Sequence, residues 1–209
     1  MAQHHRHTFD WICETWGLIA SHSGKNTHEW LPKKSLDASW RTMTCCMTPS
    51  GHNAHATIYS RAAETIYEIF LREQRAINAS EWDAIQTTKA VKNAKEKLEA
   101  IRERSMSSIL SRNAALRDLL LLELSIRKWL NHRRFGITNT NFLAAVPESA
   151  REGDVICVFN GGRVPYVLRR TGEGHNYNLV GECYVDGMMR GEAHASFPAE
   201  SCERRFAIV

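Results

Sequence analysis

The strongest constraint on the fold of this chain is a change in its hydrophobic period after Arg134. Upstream of that residue apolar side chains recur every three or four positions, and downstream they alternate. The first pattern predicts helices and the second predicts strands, because successive side chains of a strand point to opposite faces. The alternating part contains five segments, divided by stretches rich in Asn, Gly and Pro, that we predict to be strands: 135–138, 142–146, 155–159, 164–169 and 177–185.

Helical periodicity upstream predicts a short amphipathic helix within 1–23 and longer helices over 57–78, 80–104 and 109–130. The last of these is the most apolar, and we expect the helix over 57–78 to be its main partner. Its residues that we expect to need burial are Leu116, Leu119, Leu120, Leu124, Ile126 and Trp129. Residues 24–55 are rich in Ser, Thr, Gly and Pro, and we predict irregular structure there, with 39–43 as a candidate ordered island.

These segments together predict an α+β fold, in which three to four helices pack on a small five-stranded antiparallel β module resembling a meander or half-open barrel. We divide the chain into an irregular segment with one short helix (1–55), a helical region (56–132) and a β module with a C-terminal tail (133–209). A module of fewer than about 80 residues has a marginal core of its own. We therefore expect the leucine-rich helix to cover one side of the sheet.

Charge and cysteine content narrow the classes of function. From residue 151 onward the chain has seven Arg, no Lys and eight acidic residues, so it lacks the clustered positive charge that nucleic-acid binding needs. Weak nucleic-acid binding by the basic helical region around 89–104 stays as an alternative. Six cysteines without a C-x-x-C pair predict reduced thiols in the cytoplasm. No apolar run approaches the about 20 residues of a membrane span.

A series of motifs runs through the predicted strands. Gly153-Asp154 is typical of a turn, in which Gly takes a positive φ and Asp accepts hydrogen bonds from local amides. Pro165 fits the start of a strand because it lacks an N–H group. Within that strand Leu168 can face the core, and we expect Arg169 to pair with Glu182 or Asp186 on the neighbouring strand.

The order and spacing of these motifs over roughly 133–193 resemble the C-terminal region of fungal heterokaryon-incompatibility (HET) domain proteins. An upstream Trp40-Arg41-Thr42 element is similar to one found before the helical part of those proteins. The residues at the family's motif positions, which we interpret as mostly structural, are Gly153, Asp154, Pro165, Leu168, Arg169, Gly181, Glu182, Tyr184, Gly187, Gly191 and Glu192. The signature of the HET domain itself is not found in this sequence, so the resemblance carries over none of that domain's activity.

One group of side chains has a catalytic character: Glu182, Asp186, Glu192 and His194. Paired carboxylates can act as acid and base, and a carboxylate–His set can hold a metal, which keeps a hydrolase or metal-dependent enzyme as an alternative. This spacing is diagnostic of neither acid–base catalysis nor metal binding. Hydrogen bonding in strands and turns explains these residues more simply. The alternative requires that these side chains converge in one pocket.

The sequence therefore predicts a non-enzymatic interaction or regulatory region, with no catalytic residues, cofactor or metal. The resemblance implies a role in fungal self/non-self recognition. We expect an unidentified protein partner, contacted by the β module and the adjoining helices.

Overall fold

The computed structural model describes residues 33–76, 114–172, 175–193 and 204–209, together with eight positions elsewhere: Ile12, Thr15, Trp16, Leu18, Ile19, Glu96, Ala100 and Glu103. Its helices are α1 (Lys33–Thr44), α2 (Ala56–Ala76) and α3 (Ala114–Trp129). Its strands are β1 (Arg133–Ile137), β2 (Leu143–Pro147), β3 (Val155–Val158), β4 (Pro165–Arg170), β5 (Asn176–Glu182), β6 (Tyr184–Val185) and β7 (Ala207–Ile208). The α+β class is confirmed.

Two of the predicted helices are confirmed as α2 and α3. The five described positions between 12 and 19 are helical, in agreement with the short N-terminal helix. The helix predicted over 80–104 lies outside the described residues except at Glu96, Ala100 and Glu103, which are helical. None of the helices in the described part of the chain is both long enough and apolar enough to cross a membrane.

The prediction of irregular structure over 24–55 is wrong for residues 33–44, which form α1. Three apolar residues of α1, Leu36, Trp40 and Met43, recur at helical spacing and are buried. The Ser and Thr residues that suggested a loop fit the helix because their hydroxyls donate to carbonyls one turn earlier. Thr42 Oγ1, for example, donates to the Ala38 carbonyl at 2.8 Å.

The strands form two open sheets, of order β1-β2-β6 and β3-β4-β5-β7, instead of one five-stranded antiparallel module. The segment predicted as a single strand over 177–185 is divided at Cys183 into β5 and β6, which belong to different sheets. In addition, β7 comes from the predicted tail and pairs with β5 in parallel. The described strands do not close into a barrel.

Gly181 lies where the chain leaves one sheet for the other. Its φ of 153° is rare for residues with a side chain, and a Cβ atom there would lie 3.0 Å from Cγ of Pro147. The register between β4 and β5 also shifts at this point, between Val167 and Leu168. A glycine is needed because the backbone must pass close to Pro147 while changing direction.

One hydrophobic cluster joins the helices to the three-stranded sheet. It contains buried residues of α1, α2 and α3 together with Ala145 of β2 and Tyr184 of β6. A second, smaller cluster includes Ala144, Val167 and Val185, and so fills the space between the two sheets. Since β2 and β6 contribute to both clusters, the helices and sheets share a continuous core, as we expected for a β region of this size.

The leucine-rich helix α3 packs on α2 and α1, but its buried face differs from the expected one. Leu122 is 1% exposed and Ile126 is fully buried, whereas Leu124 is 42% exposed. The burial expected for Leu124 is therefore wrong. Four consecutive leucines, 119–122, put apolar side chains on more than one face of the helix. The sequence pattern alone did not decide which face is buried.

This difference gives a matched test on one helix. We expect Leu122→Ala to lower the free energy of unfolding by about 2–5 kcal/mol, because it opens a cavity in the shared core. We expect Leu124→Ala, the same substitution two residues on, to change it by less than about 0.5 kcal/mol. Urea denaturation followed by circular dichroism measures both values, and comparable losses would contradict the assigned face.

Candidate functional site at the junction of α1 and β6

An ion pair between Arg41 of α1 and Asp186, which follows β6, joins the two parts of the chain. Arg41 Nε donates to Asp186 Oδ1 and Arg41 Nη2 donates to Asp186 Oδ2, both at 2.8 Å. Tyr184 Oη also donates to Asp186 Oδ1, at 3.1 Å. The Asp186 side chain is 14% exposed. Two parallel hydrogen bonds of this kind fix both distance and orientation, so α1 is held at a defined angle to β6.

Neighbours of Arg41 in the Trp-Arg-Thr element hold α1 in the helical core. The ring of Trp40 is 1% exposed and lies 5.4 Å from that of Tyr59 in α2, measured between centroids. Trp40 Nε1 donates to Asp37 Oδ1 at 3.1 Å, and the same oxygen accepts from Ser60 Oγ at 2.6 Å. This element therefore places one side chain in the core and presents the next, Arg41, to the sheet.

The end of α1 has an unusual backbone conformation. Cys45 and Cys46 have φ values of 50° and 56°, which costs about 1–2 kcal/mol per non-glycine residue. Their amides close the helix: Cys46 N donates to the Arg41 carbonyl at 2.7 Å and Cys45 N to the Thr42 carbonyl at 3.2 Å. This is the Schellman arrangement, in which glycine usually occupies the position of Cys45. It ends α1 at Thr44, three residues after Arg41.

The described cysteines are Cys45, Cys46, Cys157 and Cys183, and all four are free thiols. Burial raises the pKa of Cys45 to about 11 and that of Cys183 to about 12, although Arg133 lowers both. Burial also raises the pKa of Cys46, against the opposing effect of Arg190 and Arg41. Because the thiolate is the nucleophile, these residues are suited to packing and not to covalent catalysis.

A second two-bond ion pair fixes the Gly-Asp turn before β3. Arg169 donates from Nε to Asp154 Oδ1 at 2.9 Å and from Nη2 to Asp154 Oδ2 at 2.7 Å. Asp154 Oδ2 also accepts from the Arg151 amide at 2.8 Å, and Gly153 has a φ of 89°. The hydrogen bond from Arg169 is the main cause that lowers the pKa of Asp154. The turn predicted for Gly153 and Asp154 is confirmed.

The pairing predicted for Arg169 is wrong. The register between β4 and β5 places Asn178 opposite Arg169, and it places Glu182 opposite Tyr166. Asp186 lies beyond β6, in the other sheet, and is bound to Arg41. The sequence reading assumed one continuous strand over 177–185, and the change of sheet at Cys183 removes the neighbour relation on which the prediction depended.

The remaining motif residues have local structural contacts. Pro165 begins β4, and its carbonyl accepts from the Cys183 amide at 2.9 Å, which ties the break between β5 and β6 to β4. Leu168 is fully buried. Gly187 and Gly191 have φ values of 81° and 87°, which glycine adopts without strain. These placements agree with the structural interpretation given to the motifs.

The acidic residues considered for catalysis have separate partners. Asp186 is bound by Arg41 and Tyr184, and a Glu192 carboxylate oxygen accepts from the Arg190 amide at 2.5 Å. Backbone hydrogen bonds lower the pKa of Glu192. Glu182 is exposed, and its carbonyl accepts from Arg133 Nη1 at 3.0 Å.

The two alternative functions predicted from the sequence, an enzyme and a nucleic-acid-binding region, depend partly on residues outside those described. His194, the fourth member of the catalytic set, is not among them, and the basic stretch 89–104 is represented by three positions only. Across the portion of the chain that is described, no three or more His, Cys, Asp or Glu side chains are grouped so that they could hold a metal ion.

Two comparisons with known proteins give matches. A family model described as the Het-6 beta-barrel domain matches residues 38–204 and so includes both Arg41 and Asp186. A protein of Neurospora crassa, heterokaryon incompatibility protein 6 (OR allele), is 43% identical over 58 residues, which cover 27% of this chain and 8% of that protein. The chain thus matches a small part of this relative's length. No solved structure matches it.

The Arg41–Asp186 pair can be tested against an exposed ion pair. We expect Asp186→Asn to lower the free energy of unfolding by about 1–3 kcal/mol, because a charge-assisted and largely buried pair is lost. The control is Glu64→Gln, which removes an equally short but exposed pair with Lys33, 2.8 Å long, and should cost less than about 1 kcal/mol. Equal losses in urea denaturation would show that Arg41–Asp186 does not hold the junction.

The Asp154–Arg169 pair makes a prediction about pH. The pKa of Asp154 is lower in the folded than in the unfolded chain, so its contribution to stability is present above the unfolded value of about 3.9 and is lost as pH falls through the folded value. We expect Asp154→Asn to flatten the dependence of unfolding free energy on pH in the acid range. Arg169→Met should flatten it similarly, and an unchanged slope in both variants would contradict the assignment.

Proposed function

The chain belongs to the Het-6 beta-barrel domain family, and from this membership we propose that it is a non-enzymatic interaction and regulatory region of a fungal heterokaryon-incompatibility protein. In this proposal it acts in the cytoplasm, in self/non-self recognition, through contact with another protein. The proposal draws on the relative's name for its biological setting and on the site geometry for its non-enzymatic character.

The observation that carries the proposal is the structural use of charged residues in and beside the family motifs. Arg41, Asp154, Arg169 and Asp186 are the charged residues with the most specific geometry, and each is committed to a two-bond ion pair within the chain. A catalytic acid or base must exchange a proton with the substrate. A carboxylate whose two oxygens are both bound by an arginine is poorly placed for that exchange. Such pairs fix the relative position of surfaces, which is what a recognition module requires.

Exposed apolar side chains on the four-stranded sheet support a contact surface. Leu179 of β5 is 52% exposed, Ile208 of β7 is 49% exposed and Val155 of β3 is 39% exposed. Single exposed apolar residues are common, but these lie on three strands of one sheet. We assign the contact with a protein partner to this sheet.

The proposal has a genetic test in a fungus that carries this gene. Strains with different alleles would be combined in forced heterokaryons, and their growth rate compared before and after deletion of the gene. If the region takes part in recognition, deletion should relieve the growth inhibition seen between unlike strains. Inhibition that persists unchanged after deletion would overturn the proposal.

Amide substitutions separate the recognition role from the enzymatic alternative. We expect Glu182→Gln and Glu192→Gln to leave the heterokaryon response and the unfolding midpoint unchanged, because Glu182 is exposed and the Glu192 carboxylate accepts a hydrogen bond from the backbone of its own turn. Leu122→Ala serves as the control that weakens the response by destabilising the fold. A response abolished by either Gln variant at an unchanged midpoint would favour a hydrolase or metal-dependent activity.

A further inference from the structure

Strand β3 differs from the other strands that end a sheet. Among the described strands, the two sheets end in β1, β6, β3 and β7. Strands β6 and β7 are two residues long, and β1 begins with two arginines. Strand β3 consists of four apolar residues, Val-Ile-Cys-Val. Proteins usually protect a sheet edge by making it short or by placing charges on it, so an uncharged edge of this length is suited to pairing with another strand.

Both ends of β3 are accessible. Val155 is 39% exposed and Val158 is 42% exposed, and because they are three residues apart they lie on opposite faces of the sheet. The strand pairs on one side with β4, in an antiparallel register that places Val155 opposite Leu168. A strand added on the other side would therefore cover apolar surface on both faces of the sheet.

We propose that β3 pairs antiparallel with β3 of a second copy of this chain, about a twofold axis at Cys157, so that two four-stranded sheets become one of eight strands. The partner is a second copy because the strand is complementary to itself. In a twofold pair each residue must face one on the same side of the sheet, so the axis passes through a facing pair of identical residues.

Of the two central positions, Cys157 gives the more favourable register. It places Ile156 opposite Val158 and Val155 opposite Phe159, so that every facing pair is apolar. An axis at Ile156 would instead place Asp154, whose carboxylate is already bound by Arg169, opposite Val158. Cross-strand pairs of β-branched and aromatic residues stabilise sheets, whereas an apolar residue facing a carboxylate gains nothing.

The charges beside β3 favour the antiparallel direction. Arg151 and Glu152 precede the strand and Arg163 follows it, and all three are exposed. Antiparallel pairing brings Arg163 of one copy to the end where Arg151 and Glu152 of the other lie, and the opposite charges of those two residues offset each other. Parallel pairing would bring each of these residues beside its own copy, and like charges at that distance repel.

This inference rests on the proposed function only in assigning protein contact to the four-stranded sheet. It goes further by naming the partner and the strand. A chain that stays monomeric and still supports the heterokaryon response would overturn the self-pairing and leave the proposed function standing. A chain that forms the dimer but does not support the heterokaryon response would overturn the proposed function and leave the self-pairing standing.

The experiment is sedimentation equilibrium of the reduced full chain over a wide concentration range. We expect a monomer–dimer equilibrium, weakened at least about tenfold by Val158→Lys, which places a charge in the paired edge. The matched control is Leu124→Lys, which puts the same charge at an equally exposed apolar position of α3, outside the sheet, and should leave the equilibrium unchanged. A monomer at all concentrations, or equal weakening by both variants, would overturn the proposal.

Oxidative cross-linking tests the register. Facing residues of antiparallel strands have Cα atoms about 4.5–5.5 Å apart, a separation that a disulfide can bridge. We expect alkaline oxidation to link the dimer through Cys157, because burial raises the pKa of this thiol to about 11. Cys157→Ser should retain the dimer and lose the link. A link that persists in Cys157→Ser, or a dimer lost with that substitution, would contradict the twofold axis at Cys157.

Discussion

The ion pair between Arg41 and Asp186 is the contact on which the arrangement of helices and sheets depends. Its residues are 145 positions apart in sequence. Arg41 lies on a helix that is packed in the core, and Asp186 directly follows a strand. Removing two charges from water is costly, and the attraction offsets that cost only when the geometry is good and the remaining acceptors are satisfied. Two hydrogen bonds of 2.8 Å and a third from Tyr184 meet this condition.

The strain at the end of α1 follows from the same contact. The helix must stop soon after Arg41 so that the chain can turn toward α2, and Cys45 and Cys46 turn it with positive φ values. Glycine would turn there without strain, but it would leave unfilled the space beside the core that both thiols occupy. The free energy gained by burying two side chains is of the same order as the about 1–2 kcal/mol that each left-handed residue costs. Packing thus keeps cysteine where backbone preference favours glycine.

How far the sequence predicted this structure depends on the range of the interactions. The α+β class and the first four strands follow from local periodicity, and the turn at Gly153 and Asp154 follows from local hydrogen bonding. Helix α1 was missed because its Ser and Thr residues donate back to its own carbonyls, which a composition argument cannot detect. The partner of Arg169 was misassigned because it depends on which sheet residues 184–185 join. No local pattern encodes that choice.

The acidic residues illustrate why motif chemistry needs geometry before it indicates function. Carboxylates four and six residues apart near a histidine suggest catalysis in a sequence, yet they lie in different surroundings because the chain changes sheets between them. Asp186 is held between a helix and a strand, Glu192 caps a turn, and Glu182 faces solvent. Of these three residues, only Asp186 joins α1 to the sheets. In this chain the two-bond ion pairs therefore fix the positions of neighbouring elements, a role that the order of residues in a motif does not reveal.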